Sequence, residues 1–304
     1  MKKIILLLFL LLYSCHSNKS YINKAIDIME ENSIKKDLVD WKKMRTQSLI
    51  EIKKNNTREN AYQIIRKNLS LIQDNHSMFL TKESLQKIYS KDNAPPDLNY
   101  DKIKDSIAYI SIPSFLGNEK QTIDFAQQIQ EIIKILDTEK VEKWIIDLRN
   151  NRGGNMWPMY LGLAPILREG VSGYFINSKG NYSEWVFKYN SVFEGKSKML
   201  ELKNSYKIKA NKTKIAVLIN SNTGSSGEAI AVMFKKFPNT LFFGGDSYGV
   251  STGNSTYDMN DGAKLVLTTA VFADRTKEKY GQKIKPDVYS LDPRQSAVEW
   301  LEKN

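Results

Sequence analysis

Ile215-Ala216-Val217-Leu218-Ile219-Asn220 runs into Ser221-Asn222-Thr223-Gly224-Ser225-Ser226-Gly227-Glu228, and Ala229-Ile230-Ala231-Val232-Met233-Phe234 leads out. The first apolar run has the length of a buried strand, and the last is built from helix-forming residues. A strand therefore ends in a small-residue turn that opens a helix, the repeating unit of α/β sheets. Such a turn lifts a hydroxyl to the sheet edge and aims N–H groups beside it, as an acyl-transfer nucleophile requires. Ser225 is the candidate nucleophile. The same residues also spell a capping box, a serine N-cap with Glu228 three residues on, which is ordinary helix architecture. The turn alone leaves both readings open.

Outward from this turn, strands and helices alternate, which predicts an α/β fold with a mixed sheet and flanking helices. Ile107 to Ile112 reads as a strand closed by Pro113, and Ile123 to Leu136 as an amphipathic helix. Trp144 to Arg149 is a buried strand that ends in Asn150-Asn151-Arg152-Gly153-Gly154. A helix follows from about Met156 to Leu167, with Pro158 in its first turn and Pro165 at a kink. Tyr174-Phe175-Ile176 and Glu184 to Phe187 form a hairpin around Lys179-Gly180-Asn181. The basic, poorly periodic stretch 190–212 reads as an insertion or flap. Strands at Leu241-Phe242-Phe243, Ser255-Thr256-Tyr257 and Lys264 to Ala270 follow, and a surface helix runs from Asp292 to Glu302.

Upstream the period is helical, with Ile22, Ala25, Ile26 and Met29, and then Ala61, Ile64, Ile65, Leu69 and Ile72, at spacings of three and four. Three helices are expected, forming an N-terminal subdomain that ends at Asp74-Asn75-His76-Ser77. A polar linker follows through Asp92-Asn93-Ala94-Pro95-Pro96-Asp97. The resulting division is a signal peptide over 1–14, an anchor segment and helical cap over 15–95, and an α/β core over 96–304.

Met1-Lys2-Lys3 and the apolar run Ile4 to Leu12 have the form of an export signal, too short to span a bilayer. Leu12-Tyr13-Ser14-Cys15 resembles the lipobox of bacterial lipoproteins, in which the cysteine is lipidated. A plain cleaved signal or an uncleaved anchor is the other reading of this start. Cys15 is the single cysteine of the 304 residues, so no intramolecular disulfide forms. Loss of Lys2 and Lys3 with the signal leaves 43 basic against 34 acidic side chains. Those charges are scattered, and no zinc-finger spacing, RNP-like aromatic motif or phosphate-binding glycine loop accompanies them, so nucleic acid is not an expected partner.

Two features complete a candidate site. Of the two histidines, His16 adjoins the proposed anchor, which leaves His76 as the imidazole available to a folded active site. A histidine in a loop is also a common surface residue. Gly153-Gly154, after a strand and before a helix, lets backbone N–H groups approach a substrate, or makes an ordinary turn. Two strand ends of one sheet place their loops on the same edge, where α/β sites lie.

Asp147-Leu148-Arg149-Asn150-Asn151-Arg152-Gly153-Gly154 together with Thr223-Gly224-Ser225-Ser226-Gly227-Glu228 resembles the paired signature of the C-terminal-processing and tricorn-core serine peptidases. Ile107 to Phe115 and Ile284-Lys285-Pro286-Asp287-Val288 support the match. The resemblance implies a crotonase-like or ClpP-like core and a serine endopeptidase of the cell envelope. It would cleave peptides or protein C-terminal regions through an acyl-enzyme. Ser225 would be the nucleophile, with an oxyanion hole from Gly153 or Gly154 and Ser226. In one branch the base is a lysine after a Thr-Phe-Gly-like turn; here Ser247-Tyr248-Gly249 is followed by Val250, leaving Lys235, Lys236 or Lys264 as substitutes. In the histidine-using branch, which includes the tricorn core and the nisin resistance proteins, the base lies in an Asp-x-His-Ser-like motif. Asp74-Asn75-His76-Ser77 matches it, and the plan of an anchor, a helical cap and no PDZ domain matches as well. Ser77, bridging to a carboxylate such as Glu278, is the expected third member that orients His76. Peptide or unfolded protein is the expected substrate, the membrane is reached through the N-terminal lipid, and neither cofactor nor metal is implied. The alternative is a catalytically inactive peptide-binding or carrier protein on the same fold.

Overall fold

The computed structural model of the chain describes residues 17–90, 95–209 and 213–303. The expected signal peptide and Cys15 lie outside the described residues. The chain opens with α1 (Asn18–Asn32), a 3-10 turn (Lys36–Leu38), α2 (Trp41–Lys54) and α3 (Arg58–Ile72). The side chains of Ser17, Asp40 and Thr57 cap the three helices, each accepting from a first-turn N–H. β1 (Met78–Leu80) and α4 (Lys82–Ile88) follow within the stretch that reads as a polar linker. They escape the pattern because each is short and offers little apolar periodicity; α4 has no buried residue at all.

The α/β part comprises β2 (Tyr100–Lys104), β3 (Ile107–Ser111), α5 (Glu119–Leu136), β4 (Lys143–Asp147), α6 (Met156–Leu167), β5 (Gly170–Asn177) and β6 (Tyr182–Lys188). It continues with β7 (Ser191–Glu194), β8 (Ser197–Glu201), β9 (Lys214–Ile219), α7 (Ser226–Phe234), β10 (Thr240–Gly244) and β11 (Thr252–Asp258). β12 (Lys264–Asp274), β13 (Val288–Tyr289) and α8 (Pro293–Glu302) close it. The strands form two sheets. One runs β13-β10-β9-β4-β3-β2 and is parallel except for β2. The other is antiparallel and runs β1-β12-β5-β6-β7-β8, with β11 paired to β12. Within the stretch expected to be a flap, residues 191–201 form the β7–β8 hairpin. It sits at a sheet edge with Val192 as its fully buried side chain, so backbone pairing rather than apolar alternation defines it.

Burial explains the continuous apolar runs of the parallel strands. Ile215, Val217 and Ile219 face a core shared with α5, α6 and α7, while Ala216 and Leu218 face α8 through Ala297, Val298 and Leu301. α6 and α7 are apolar all round because they lie inside the molecule, between the parallel sheet and residues such as Trp185 and Phe272 of the antiparallel one. Among the described residues no helix is long and apolar enough to cross a membrane.

The helical cap is fastened to the β11–β12 hairpin. Ile22, Ile26, Ile65 and Leu69 share a core with Met259, Ala263, Leu265 and Leu267. Over that core the Asp261 carboxylate accepts from Tyr21 Oη (2.8 Å) and Tyr62 Oη (2.7 Å), with Arg58 Nε at 3.7 Å. Asp261→Ala strands both phenols and is expected to cost about 2 kcal/mol, read as a fall of several degrees in melting temperature; an unchanged melting curve refutes this fastening.

Candidate active site

Ser225 stands where β9 has ended and α7 begins, with φ 52° and ψ −117°. A non-glycine residue at positive φ is strained, and the neighbouring contacts hold it there. Gly224 N–H donates to Asn151 O (2.9 Å) and Tyr248 N–H to Thr223 O (2.8 Å), while Thr223 Oγ1 donates to Leu148 O (2.9 Å). Ser225 N–H itself donates to Glu228 Oε2 (3.0 Å).

Glu228 does more than cap its helix. Its buried carboxylate also accepts from Ser247 Oγ (2.5 Å), Gly249 N (3.0 Å) and Val250 N (2.9 Å). Burial pushes its carboxyl up from the ordinary value, and these four hydrogen bonds oppose the shift. All four groups are donors, which suits the ionised form.

The loop after β4 packs directly on this turn. Asn151 is fully buried; its Nδ2 donates to Ile112 O (3.0 Å) and its Oδ1 accepts from Gly153 N (2.9 Å). Ser226 Oγ donates to Gly154 O (2.6 Å), tying the glycine loop to α7. Gly153 has φ 107°, and a Cβ there would lie 2.7 Å from Ser225 Cβ. That vacant position is also 3.0 Å from both Ser225 Oγ and Ser226 N, so the small space glycine leaves is bounded by the hydroxyl and a backbone donor. At Gly227 the reason is close approach, since a Cβ would lie 2.3 Å from Asn151 O.

His76 reaches the same point from the other end of the chain. Its loop is set by Asp74, whose Oδ1 accepts from His76 N (3.0 Å) and Ser77 N (2.8 Å). Asn254 Nδ2 donates to His76 O (3.2 Å). His76 Nε2 lies 2.9 Å from Ser225 Oγ, and Nδ1 lies 2.7 Å from Thr252 Oγ1. The Nδ1–H tautomer fits this arrangement: Nδ1–H donates to Thr252 Oγ1, whose hydroxyl points on toward Val250 O (3.5 Å), and bare Nε2 accepts from Ser225. Burial lowers the imidazole below its ordinary value of 6.5, and the Asp74 charge pulls the other way. A neutral imidazole against a serine hydroxyl can accept its proton.

Ser225, Ser226, Gly153, Gly154 and His76 therefore come together, whereas two expected partners do not meet the imidazole. Glu278 faces solvent and pairs with Lys236 (3.2 Å), so its carboxylate does not orient His76. Ser77 does bridge to a carboxylate, but to Asp74, and its Oγ accepts from Thr268 N (2.9 Å); it fixes the loop, and the imidazole meets Thr252 instead. Thr252 is the residue that sequence reasoning missed. It lies two positions beyond the Val250 that stands where a lysine was expected, and a threonine at a strand start carries no signal of its own. The lysines are accounted for elsewhere: Lys235 lies over Phe242, Lys236 on Glu278 and Lys264 on Asp258.

Ser225 and His76 line a cleft of about 1190 Å³ bounded by the loops that follow β3, β4 and β9 and by strands of the antiparallel sheet, with Leu116, Trp157, Phe175 and Tyr248 on its walls. The profile described as Peptidase family S41 matches residues 106–290. The nisin-resistance protein of Lactococcus lactis subsp. lactis is 30% identical over 286 residues, covering 94% of this chain and 87% of that protein. The carboxy-terminal processing protease CtpA of Bacillus subtilis is 26% identical over 70% of this chain, which spans only 41% of that longer protein. Among solved structures, a lipoprotein from Streptococcus agalactiae superposes with a TM-score of 0.81 at 28% identity, covering 99% of each chain. The photosystem II D1 C-terminal processing protease, at 16% identity, shares the fold with a TM-score of 0.62 over 95% of this chain and 98% of its own.

Removing the Glu228 carboxylate leaves four donors without their acceptor in the interior. Glu228→Ala is expected to cost about 3 kcal/mol in denaturant unfolding, and a stability within experimental error of the unmodified chain refutes the role assigned to this carboxylate.

Proposed function

Because the chain belongs to Peptidase family S41, we propose that it is a serine peptidase in which Ser225 is the nucleophile and His76 the general base. The observation that carries this reading is the 2.9 Å contact between His76 Nε2 and Ser225 Oγ, with Thr252 on the opposite ring nitrogen. Neutral His76 takes the Ser225 proton as Oγ attacks the peptide carbonyl carbon. The carbonyl oxygen moves into the space beside Gly153, where Ser226 N–H and the Gly154 N–H stabilise its negative charge. Gly153 N–H stays on Asn151 Oδ1 and holds the loop in place. His76 then returns the proton to the leaving amine, and a water, activated by the same imidazole, releases the acyl group from Ser225. Thr252 keeps the proton on Nδ1, so that Nε2 remains the basic nitrogen.

The substrate class we assign is an extended peptide or unfolded protein, for which a cleft of about 1190 Å³ has room. The name of the Lactococcus relative puts nisin-like molecules among the candidates. We place the enzyme at the cell envelope: residues 1–14 are removed as a signal peptide, Cys15 carries the lipid, 15–95 form the anchor segment and cap, and 96–304 the peptidase core. The lipoprotein similar in structure supports this placement. Cys15→Ala is expected to move the protein out of the membrane fraction of the producing cell; unchanged retention rejects the lipid anchor.

Ser225→Ala and His76→Ala are each expected to lower peptide cleavage by about four orders of magnitude or more, and full activity in either variant refutes the pair. Cleavage needs neutral His76, so it falls as the pH drops through the imidazole pKa. Burial holds that pKa low, so the acid limb of kcat/KM has its midpoint below the ordinary 6.5. Asp74→Asn removes the opposing charge and moves the limb further toward acid.

A further inference from the structure

The cleft is almost devoid of charge, and that makes one side chain conspicuous. Among the described residues lining it, Glu194 is the sole carboxylate and Arg152 the sole lysine or arginine. Arg152 belongs to the glycine loop itself, next to Gly153. Glu194 ends β7 on the antiparallel sheet, where it is paired in register with Trp185. It therefore shares the inward face of that sheet with Trp185 and Ser183, and with Phe175, which pairs with Ser183. Phe175 in turn packs edge-on against Trp157, three residues beyond Gly154. A continuous wall thus runs from the oxyanion loop through Trp157 and Phe175 to Glu194.

Burial pushes the Glu194 carboxyl up and Ser183 steadies it, and among the described residues no lysine or arginine contributes to its environment. In a chain with 45 basic residues, an inward-facing carboxylate left without one is an open position for a positive charge from outside. The aromatic rings beside it add faces that attract cations.

We propose that Glu194 is a specificity-determining residue that selects a cationic group, a lysine or arginine side chain, on peptides bound along the Trp157–Phe175 wall. The assignment rests on the peptidase reading of the cleft. It makes the substrate class basic peptides and locates the selection on one side of the scissile bond, away from the reacting atoms.

The test uses quenched-fluorescent peptides that differ by a single Lys or Gln, moved stepwise through the positions flanking the cleavage site. At one position the unmodified chain is expected to favour Lys over Gln by about 10-fold in kcat/KM, through KM. Glu194→Gln brings that ratio to near one and leaves the neutral peptides as they were; Glu194→Lys favours a Glu at the same position. A purely structural Glu194 would lower all peptides alike. An unaltered Lys preference in Glu194→Gln, or no positional preference in the unmodified chain, overturns the proposal. Binding of the same peptides to Ser225→Ala, followed by fluorescence anisotropy, reads the preference without turnover. Glu194-dependent binding with no cleavage by the unmodified chain overturns the peptidase reading alone, and cleavage without charge preference overturns the Glu194 assignment alone.

Discussion

Glu228 is wholly buried at the first turn of α7, where its carboxylate gathers Ser225 N–H, Ser247 Oγ–H, Gly249 N–H and Val250 N–H. Through the first of these it holds Ser225 in a backbone conformation that a serine adopts only under constraint; through the others it fastens the segment that leads into β11. That segment carries Thr252, the partner of His76 Nδ1. One buried charge therefore sets both the hydroxyl and the group that orients the imidazole. A lone carboxylate in the interior is costly, and four well-formed hydrogen bonds offset the cost only while the α7 turn and the segment before β11 stay together.

The remaining constraints follow the same logic of close approach. Asn151 links β3, β4 and the glycine loop, and Gly227 and Gly153 have no side chain because Asn151 O and Ser225 occupy the space. The two sheets play different parts. Parallel β4 and β9 present the glycine loop and Ser225 on one edge, whereas the antiparallel sheet supplies Thr252, Asn254 and the β1 end that carries His76. The cleft is walled by the loops at that edge on one side and by the antiparallel strands on the other, and Glu194 lines it from the antiparallel side.

Several features were legible in the residues. Apolar runs bounded by small residues gave β4, β9 and α7, and three- and four-residue spacing gave the cap helices, because burial imposes those periods. The scarcity of histidine pointed to His76. β1, α4 and the β7–β8 hairpin were hidden, since short elements held by backbone pairing leave little pattern. Glu278, the carboxylate near the C-terminal motif, faces Lys236 at the surface; the partner of the imidazole is a hydroxyl, Thr252, which no local pattern distinguishes from any other strand threonine.

The sequence by itself determined the alternation of strands and helices, the two small-residue turns at the ends of β4 and β9, and which residue types a hydrolytic site here has to draw on. These are local properties, written in period, turn chemistry and composition. Only the tertiary structure decided which groups meet: His76 and Ser225 are 149 positions apart, and His76 and Thr252 176 apart. Their contacts arise because β1 pairs with β12, β11 pairs with β12, and Glu228 draws the segment before β11 onto α7. Such contacts depend on register and on the burial of one carboxylate, and neither is encoded within any single stretch of the chain.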